Sequence, residues 1–172
     1  FVGAAGRSAA AAPSVKLETI RLDNLVPDLG IQLRESWNSI GVDPNDNVYC
    51  VFGGRTETAS DCAFFQYNAK TGAARLIGKI SSALAAAGNL EENEPIPKGH
   101  TQLPFINGKI YIGTMGFHDA INLGSEQMVE AQNTRGAHLL SYDPATDRLE
   151  DLSADQPGGV FYHSRQRSEH RW

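Results

Sequence analysis

FINGKIYIGTMG, residues 105–116, decides the fold, because an earlier stretch has the same plan. Set over PNDNVYCVFGG, residues 44–54, it places Asn107 against Asn45 in a turn, Ile110-Tyr111 against Val48-Tyr49, and Gly116 against Gly54. The likeness extends outward. DCAFFQYNAKTGAARLIG (61–78) aligns with GAHLLSYDPATDRLEDLS (136–153), bringing Tyr67 to Tyr142, Asn68 to Asp143 and Thr71 to Thr146. Each unit therefore reads as strand, turn, strand, loop, strand, a turn of the form Y-[ND]-x-x-T-[GD], and a final strand. The turn residues have reasons to be there: Asn and Gly tolerate positive φ, Asn and Asp bond their own following backbone, and Pro144 pre-sets its φ. The runs between them are rich in β-branched and aromatic residues.

A four-stranded antiparallel unit that recurs along a chain is the signature of a β-propeller blade. The expected fold class is all-β, with two clear blades and a partial one drawn from SVKLETIRLDNL (14–25). A propeller closes with about four blades or more, so two units and a fraction form only part of one. Unclosed blades present sheet edges, from which self-association is expected. Residues 1–14, rich in Ala, Gly and Ser, read as a flexible arm or the remnant of an export signal. Residues 15–163 read as an incomplete propeller domain, and 164–172 as a polar basic tail.

The chain has 172 residues, a net charge of −5 and 41% apolar residues. That composition suits a globular domain and argues against nucleic acid or an anionic membrane surface as the main partner. No apolar run reaches the roughly 18 residues of a membrane span. Cys50 and Cys62 are the two cysteines. A hairpin centred near Thr56 would set them almost opposite one another, as a cross-strand disulfide or as two buried thiols. Between the units, SSALAAAGNLEENEP (81–95) starts as a helix capped by Ser81 or Ser82 and stopped by Gly88.

The units differ at one loop. Where the first has RTETAS (55–60), the second has FHDAINLGSEQMVEAQNTR (117–135), and long loops at the end of a rigid scaffold commonly carry function. The titratable residues gather around this second unit: Lys98, His100, His118, Asp119, Arg135 and His138, with Tyr162 and His163 at its end. In a hairpin turning at Asn107-Gly108, His100 and His118 fall at the same end, and Arg135 and His138 return to that end after the loop. Histidines beside an arginine and an aspartate are suited to proton transfer and to binding an acidic substrate. His100, His118 and Asp119 are chemically able to hold a metal, but their spacing does not suggest one. No cofactor is expected, and neither a phosphate-binding glycine loop nor a serine-hydrolase elbow is present.

KGHTQLPFINGKIYIGTMGFHDA and RGAHLLSYDPATDRLEDLSADQPGGV resemble the early blades of β-propeller polysaccharide lyases, the ulvan lyases most and the oligogalacturonate lyases more loosely. The resemblance spans about residues 36–163. It implies a propeller of about seven blades, exported or periplasmic, that cleaves a uronate-containing polysaccharide by β-elimination. That reaction needs the uronate carboxylate neutralised, a base for the C5 proton and an acid for the departing O4. By position, the resemblance makes His100 the base or acid and His118 its partner, while Lys98, Asp119, Arg135 and His138 are the substrate-binding candidates. The tyrosine and arginine expected from later blades have no clear counterpart. The alternative is a non-catalytic, kelch-like module that binds a protein or glycan through its loop face, marked by exposed aromatics at the mouth and scattered histidines.

Overall fold

The computed structural model describes residues 19–25, 30–55, 60–92, 94–96, 98–114 and 137–153. Among these, the architecture is mostly β, in two antiparallel sheets. The first is built from β1 (Gln32–Glu35), β2 (Ile40–Val42), β3 (Asn47–Arg55), β4 (Ser60–Asn68) and β5 (Ala73–Lys79). β1 and β2 pair with different halves of β3, and β4 and β5 follow in chain order. The second sheet runs β6 (Phe105–Ile106), β7 (Lys109–Gly113), β8 (Leu139–Asp143) and β9 (Arg148–Asp151). One short helix, α1 (Ile80–Ala86), joins them.

The turns form where residue chemistry asks for them. Asn107 and Gly108 both have positive φ, 51° and 84°, the two-residue turn whose twist matches flanking antiparallel strands. Asp46 (φ 65°) and Asp147 (φ 55°) close two further turns. Asn68 Oδ1 accepts the backbone N–H of Lys70 and Thr71 at 3.0 and 2.9 Å, and Asp143 Oδ1 that of Ala145 at 2.9 Å. These local bonds compete successfully with strand continuation and end each strand there.

Side-chain alternation then sets the packing. Tyr49 and Val51 of β3, with Cys62 and Phe64 of β4, face the second sheet and meet Ile110, Ile112, Leu140 and Tyr142. Ile80 and Leu84 of α1, Ile96 and Leu103 complete this buried layer. At its centre the rings of Tyr49, Phe64 and Tyr142 lie 5.4–5.9 Å apart between centroids. The opposite face of the first sheet packs Ala63, Phe65, Cys50, Phe52 and Leu76 under Leu22, Ile31 and Leu33.

The structure bears on three local expectations. Leu22–Leu25, inside the stretch read as a partial blade, is a 3₁₀ turn whose Leu22 covers the first sheet. Of the two alternatives for the cysteines, free thiols hold: Cys62 is buried and Cys50 partly so. β3 and β4 pair Arg55 with Ser60, so Cys50 pairs with Phe65 and Cys62 with Gly53. An odd offset of three residues puts the sulfurs on opposite faces of the sheet, where no rotamer joins them. The helix begins at Ile80 with Lys79 as its cap residue, which makes no side-chain capping bond. The Ser81 N–H is held from a distance by Asp61 Oδ1 at 3.1 Å, and the Ser81 hydroxyl donates to Asp61 Oδ2. Gly88 (φ 69°) ends the helix as expected. The closed ring, the N-terminal arm, the tail and the 117–135 loop concern residues outside those described.

Candidate functional site

The extended segment before β6 carries two of the candidates, and a glycine fixes its path. Gly99 bridges Thr114, and the His100 N–H donates to the Gly113 carbonyl at 3.0 Å. Thr101 Oγ1 accepts the Gly113 N–H at 2.9 Å, and the Leu103 N–H donates to Ile40 O at 3.2 Å. The segment therefore ties the edge of the first sheet to β7. A Cβ on Gly99 would lie 2.9 Å from both Ser39 Oγ and Val51 Cγ1, so no larger residue fits against the first sheet there. Because Gly99 faces inward, the alternation of an extended chain turns Lys98 and His100 the other way.

Both meet Trp37. The Lys98 ammonium sits 4.0 Å from the centroid of the indole, and the His100 ring lies 6.2 Å from it at an interplanar angle of 31°. Trp37 stands on the turn between β1 and β2, next to Asn38 at φ 59°. Ser39 beside it is fully buried, donates its hydroxyl to the Trp37 carbonyl at 3.4 Å, and accepts the Val51 N–H on its own carbonyl at 3.0 Å. A chain anchored on both sides thus holds the indole out with 46% of its surface exposed. An ammonium over an indole face is stabilised by the ring quadrupole, by about 0.5–1 kcal/mol where solvent reaches it. Trp37 was not among the candidates read from sequence. The available signal was its position in ESWNSI, where a tryptophan interrupts a run of turn-forming residues.

His138 stands at the same end of the second sheet, as its place in the chain suggests. It exchanges backbone and hydroxyl bonds with Thr114: the His138 N–H donates to Thr114 Oγ1 at 2.8 Å, and the Thr114 N–H to His138 O at 2.9 Å. Its ring, however, points into the protein and is 2% exposed, 3.2 Å from Glu94 Oε1, a carboxylate with no exposed side-chain surface. On its other side, Nδ1 lies 3.3 Å from Asn89 Nδ2 and from Ser153 Oγ. Asn89 Nδ2 and Ser153 Oγ donate in turn to Asp151, at 2.7 and 2.5 Å. Buried polar groups matched in this way rigidify the fold. His138 is therefore placed to clamp the connector to β8 and β9, and the substrate-binding role expected of it does not fit an imidazole facing inward.

His118, Asp119 and Arg135, with Tyr162 and His163, lie outside the described residues. Of the six candidates, the structure thus brings Lys98 and His100 together against Trp37 and turns His138 inward. Among the described residues, no group of three His, Cys, Asp or Glu side chains is arranged to hold a metal ion, and no helix is long and apolar enough to cross a membrane. The chain matches no protein-family model, and neither the curated proteins nor the solved structures show a match to it.

Proposed function

We propose that the chain is a propeller-type module that binds an acidic, uronate-bearing polysaccharide at the rim occupied by Lys98 and His100. The observation that carries this reading is the pairing of a cation and an imidazole on one side of a bonded backbone segment, beside an exposed indole. A cation placed at a rim neutralises a uronate carboxylate, and imidazole donates to hydroxyl or carboxylate oxygens. The acidity of the chain as a whole makes such a local cation the feature that attracts a polyanion.

Two features of the fold favour the propeller reading. Val48 pairs with Tyr67 in the first sheet, and Ile110 with Tyr142 in the second, the positions that the two sequence units align. The second sheet also meets the first through the face whose counterpart, in the first sheet, lies against Leu22, Ile31 and Leu33. Units that stack in one sense in this way can be added without limit until a ring closes. A substrate of this class places the work outside the cytoplasm.

β-Elimination at the same rim is the second reading, favoured by the position of His100 next to Lys98, where one group transfers a proton and the other compensates the carboxylate. The two readings separate in one experiment. The folded chain is incubated with ulvan and pectic polysaccharides while binding and the ultraviolet absorbance of the unsaturated uronate are followed. Binding that weakens in Lys98→Ala and His100→Ala, with no absorbance, is the expected result for a binding module. Absorbance that rises with the parent chain and is lost in His100→Ala establishes cleavage. A folded chain that neither binds nor cleaves any uronate polysaccharide sinks both.

A further inference from the structure

The indole of Trp37 is the feature that charge complementarity leaves unused. An isolated exposed tryptophan needs no explanation. Trp37 differs in being held: its carbonyl accepts from buried Ser39, its neighbour Asn38 closes the turn in a left-handed conformation, and Lys98 and His100 both lie against its ring. A cation already rests over the indole face, so a carbon face that stacks there takes the place of the ammonium, and the long Lys98 side chain has only to swing to the edge of the ring.

We infer that Trp37 is a stacking subsite for a pyranose ring of the polysaccharide, with Lys98 taking the carboxylate of that same sugar. This inference rests on the binding reading above. A pyranose presents C–H bonds on its face, and these carry the partial positive charge that an indole face attracts, as it attracts the Lys98 ammonium. A uronate adds a carboxylate at the edge of the same ring, where the Lys98 ammonium, displaced from its place 4.0 Å over the indole centroid, can meet it. One uronate residue therefore answers both groups at once. A neutral sugar stacks and leaves the ammonium unmatched; an acidic peptide pairs with the ammonium and leaves the indole bare. The subsite selects for a carbon face and a charge on one ring, and Trp37 is the group that makes the site one for a sugar rather than for any anion.

The chain has two tryptophans, so a Trp172→Phe parent reports from Trp37 alone. This parent is titrated with oligogalacturonate, with ulvan oligosaccharides, and with the carboxyl-reduced form of each, following tryptophan emission and, by calorimetry, Kd. The expected result is a saturable change in emission with the acidic sugars. Trp37→Ala, measured by calorimetry, and the carboxyl-reduced ligands should each bind about tenfold more weakly, with Trp37→Phe between parent and Ala. Affinity unchanged in Trp37→Ala, in a chain whose Lys98→Ala variant loses binding, overturns the stacking subsite and leaves the binding reading intact. Emission that stays constant while calorimetry shows saturation also overturns it, and needs no variant at position 37. A folded parent that binds none of the oligosaccharides overturns both.

Discussion

At the scale of single residues, the fold depends on a few carboxylates that are fully engaged. Asp43 is nearly buried and accepts four bonds, from the backbone N–H groups of Asn45 and Asn47, the Asn47 amide and the Tyr49 hydroxyl, at 2.8–3.0 Å. Asn47 passes the order on by accepting the Asn68 amide at 2.8 Å. Burial alone would raise the Asp43 carboxyl, but the bonds from Asn47, Tyr49 and Asn45 outweigh it and hold the group below the usual range. The proton thus binds more weakly in the folded chain than in the unfolded one. The stability this contributes is complete above the ordinary aspartate value of about 3.9 and is lost as pH falls through the lower folded value. Asp43→Ala leaves several buried donors without partners, and denaturant titration at neutral pH should show a loss of about 2–3 kcal/mol. The same variant should flatten the acid limb of stability against pH. Unchanged stability would mean that water replaces the carboxylate at no cost.

At the scale of elements, position 99 decides whether the segment from Lys98 to Leu103 can lie against both sheets. The room for a side chain there is bounded by Ser39 and Val51, within 2.9 Å of where a Cβ would sit. Gly99→Ala should cost about 1–2 kcal/mol in a melting or denaturant experiment, the usual effect of overfilling a packed site. On the binding reading proposed above, it should also weaken polysaccharide binding by more than that loss accounts for, because the segment lifts and takes Lys98 and His100 with it. Full affinity in a destabilised Gly99→Ala chain would show that the rim does not depend on the path of this backbone. The connector is held at its other end by the His138–Glu94 contact and by Asn89.

At the scale of the whole molecule, the two sheets are joined by an aromatic layer with a polar strip along its edge. Arg75 donates to Gln66 Oε1 at 2.7 Å in its own sheet, and across the seam to the Tyr142 hydroxyl at 2.7 Å and both Asp147 carboxylate oxygens at 2.7 and 3.2 Å. Asp147 also accepts the Tyr142 hydroxyl at 2.6 Å. The Arg75–Asp147 pair is open to solvent and contributes little by itself; the phenol at the edge of the core matters more. Burial, then the bond to Asp147, pushes the Tyr142 hydroxyl up to about 12. The folded chain keeps this proton where the unfolded chain, at about 10, has lost it, so stability is intact below about pH 10 and falls as pH rises toward 12. Following unfolding by circular dichroism through that window should show a steep alkaline limb, made shallower in Tyr142→Phe. An alkaline limb unchanged by that substitution would exclude this hydroxyl as its cause.

The strand plan of the two repeated units and their turns were legible in the residues themselves, because turn chemistry and side-chain alternation act within a few positions, whereas β1 was not read as a strand. Asn107-Gly108, Asn68 and Asp143 ended strands where their own backbone bonds require it. What escaped a local reading depends on register and on faces. One odd step in the β3–β4 hairpin separated Cys50 from Cys62, and Asp61, twenty positions away, took over the capping expected of Ser81. The same holds at the rim. Lys98 and His100 were marked by residue type and spacing, whereas Trp37, more than sixty positions earlier, reached them only when Gly99 laid its segment on the first sheet. His138 looked identical in kind to His100, and only the packing of Glu94 and Asn89 against it turned its ring inward. Sequence alone determined the plan of the two repeated units and where they turned, since those preferences are local. The tertiary structure decided which side chains share a face or a rim, since that depends on one-residue steps in pairing and on contacts between distant segments.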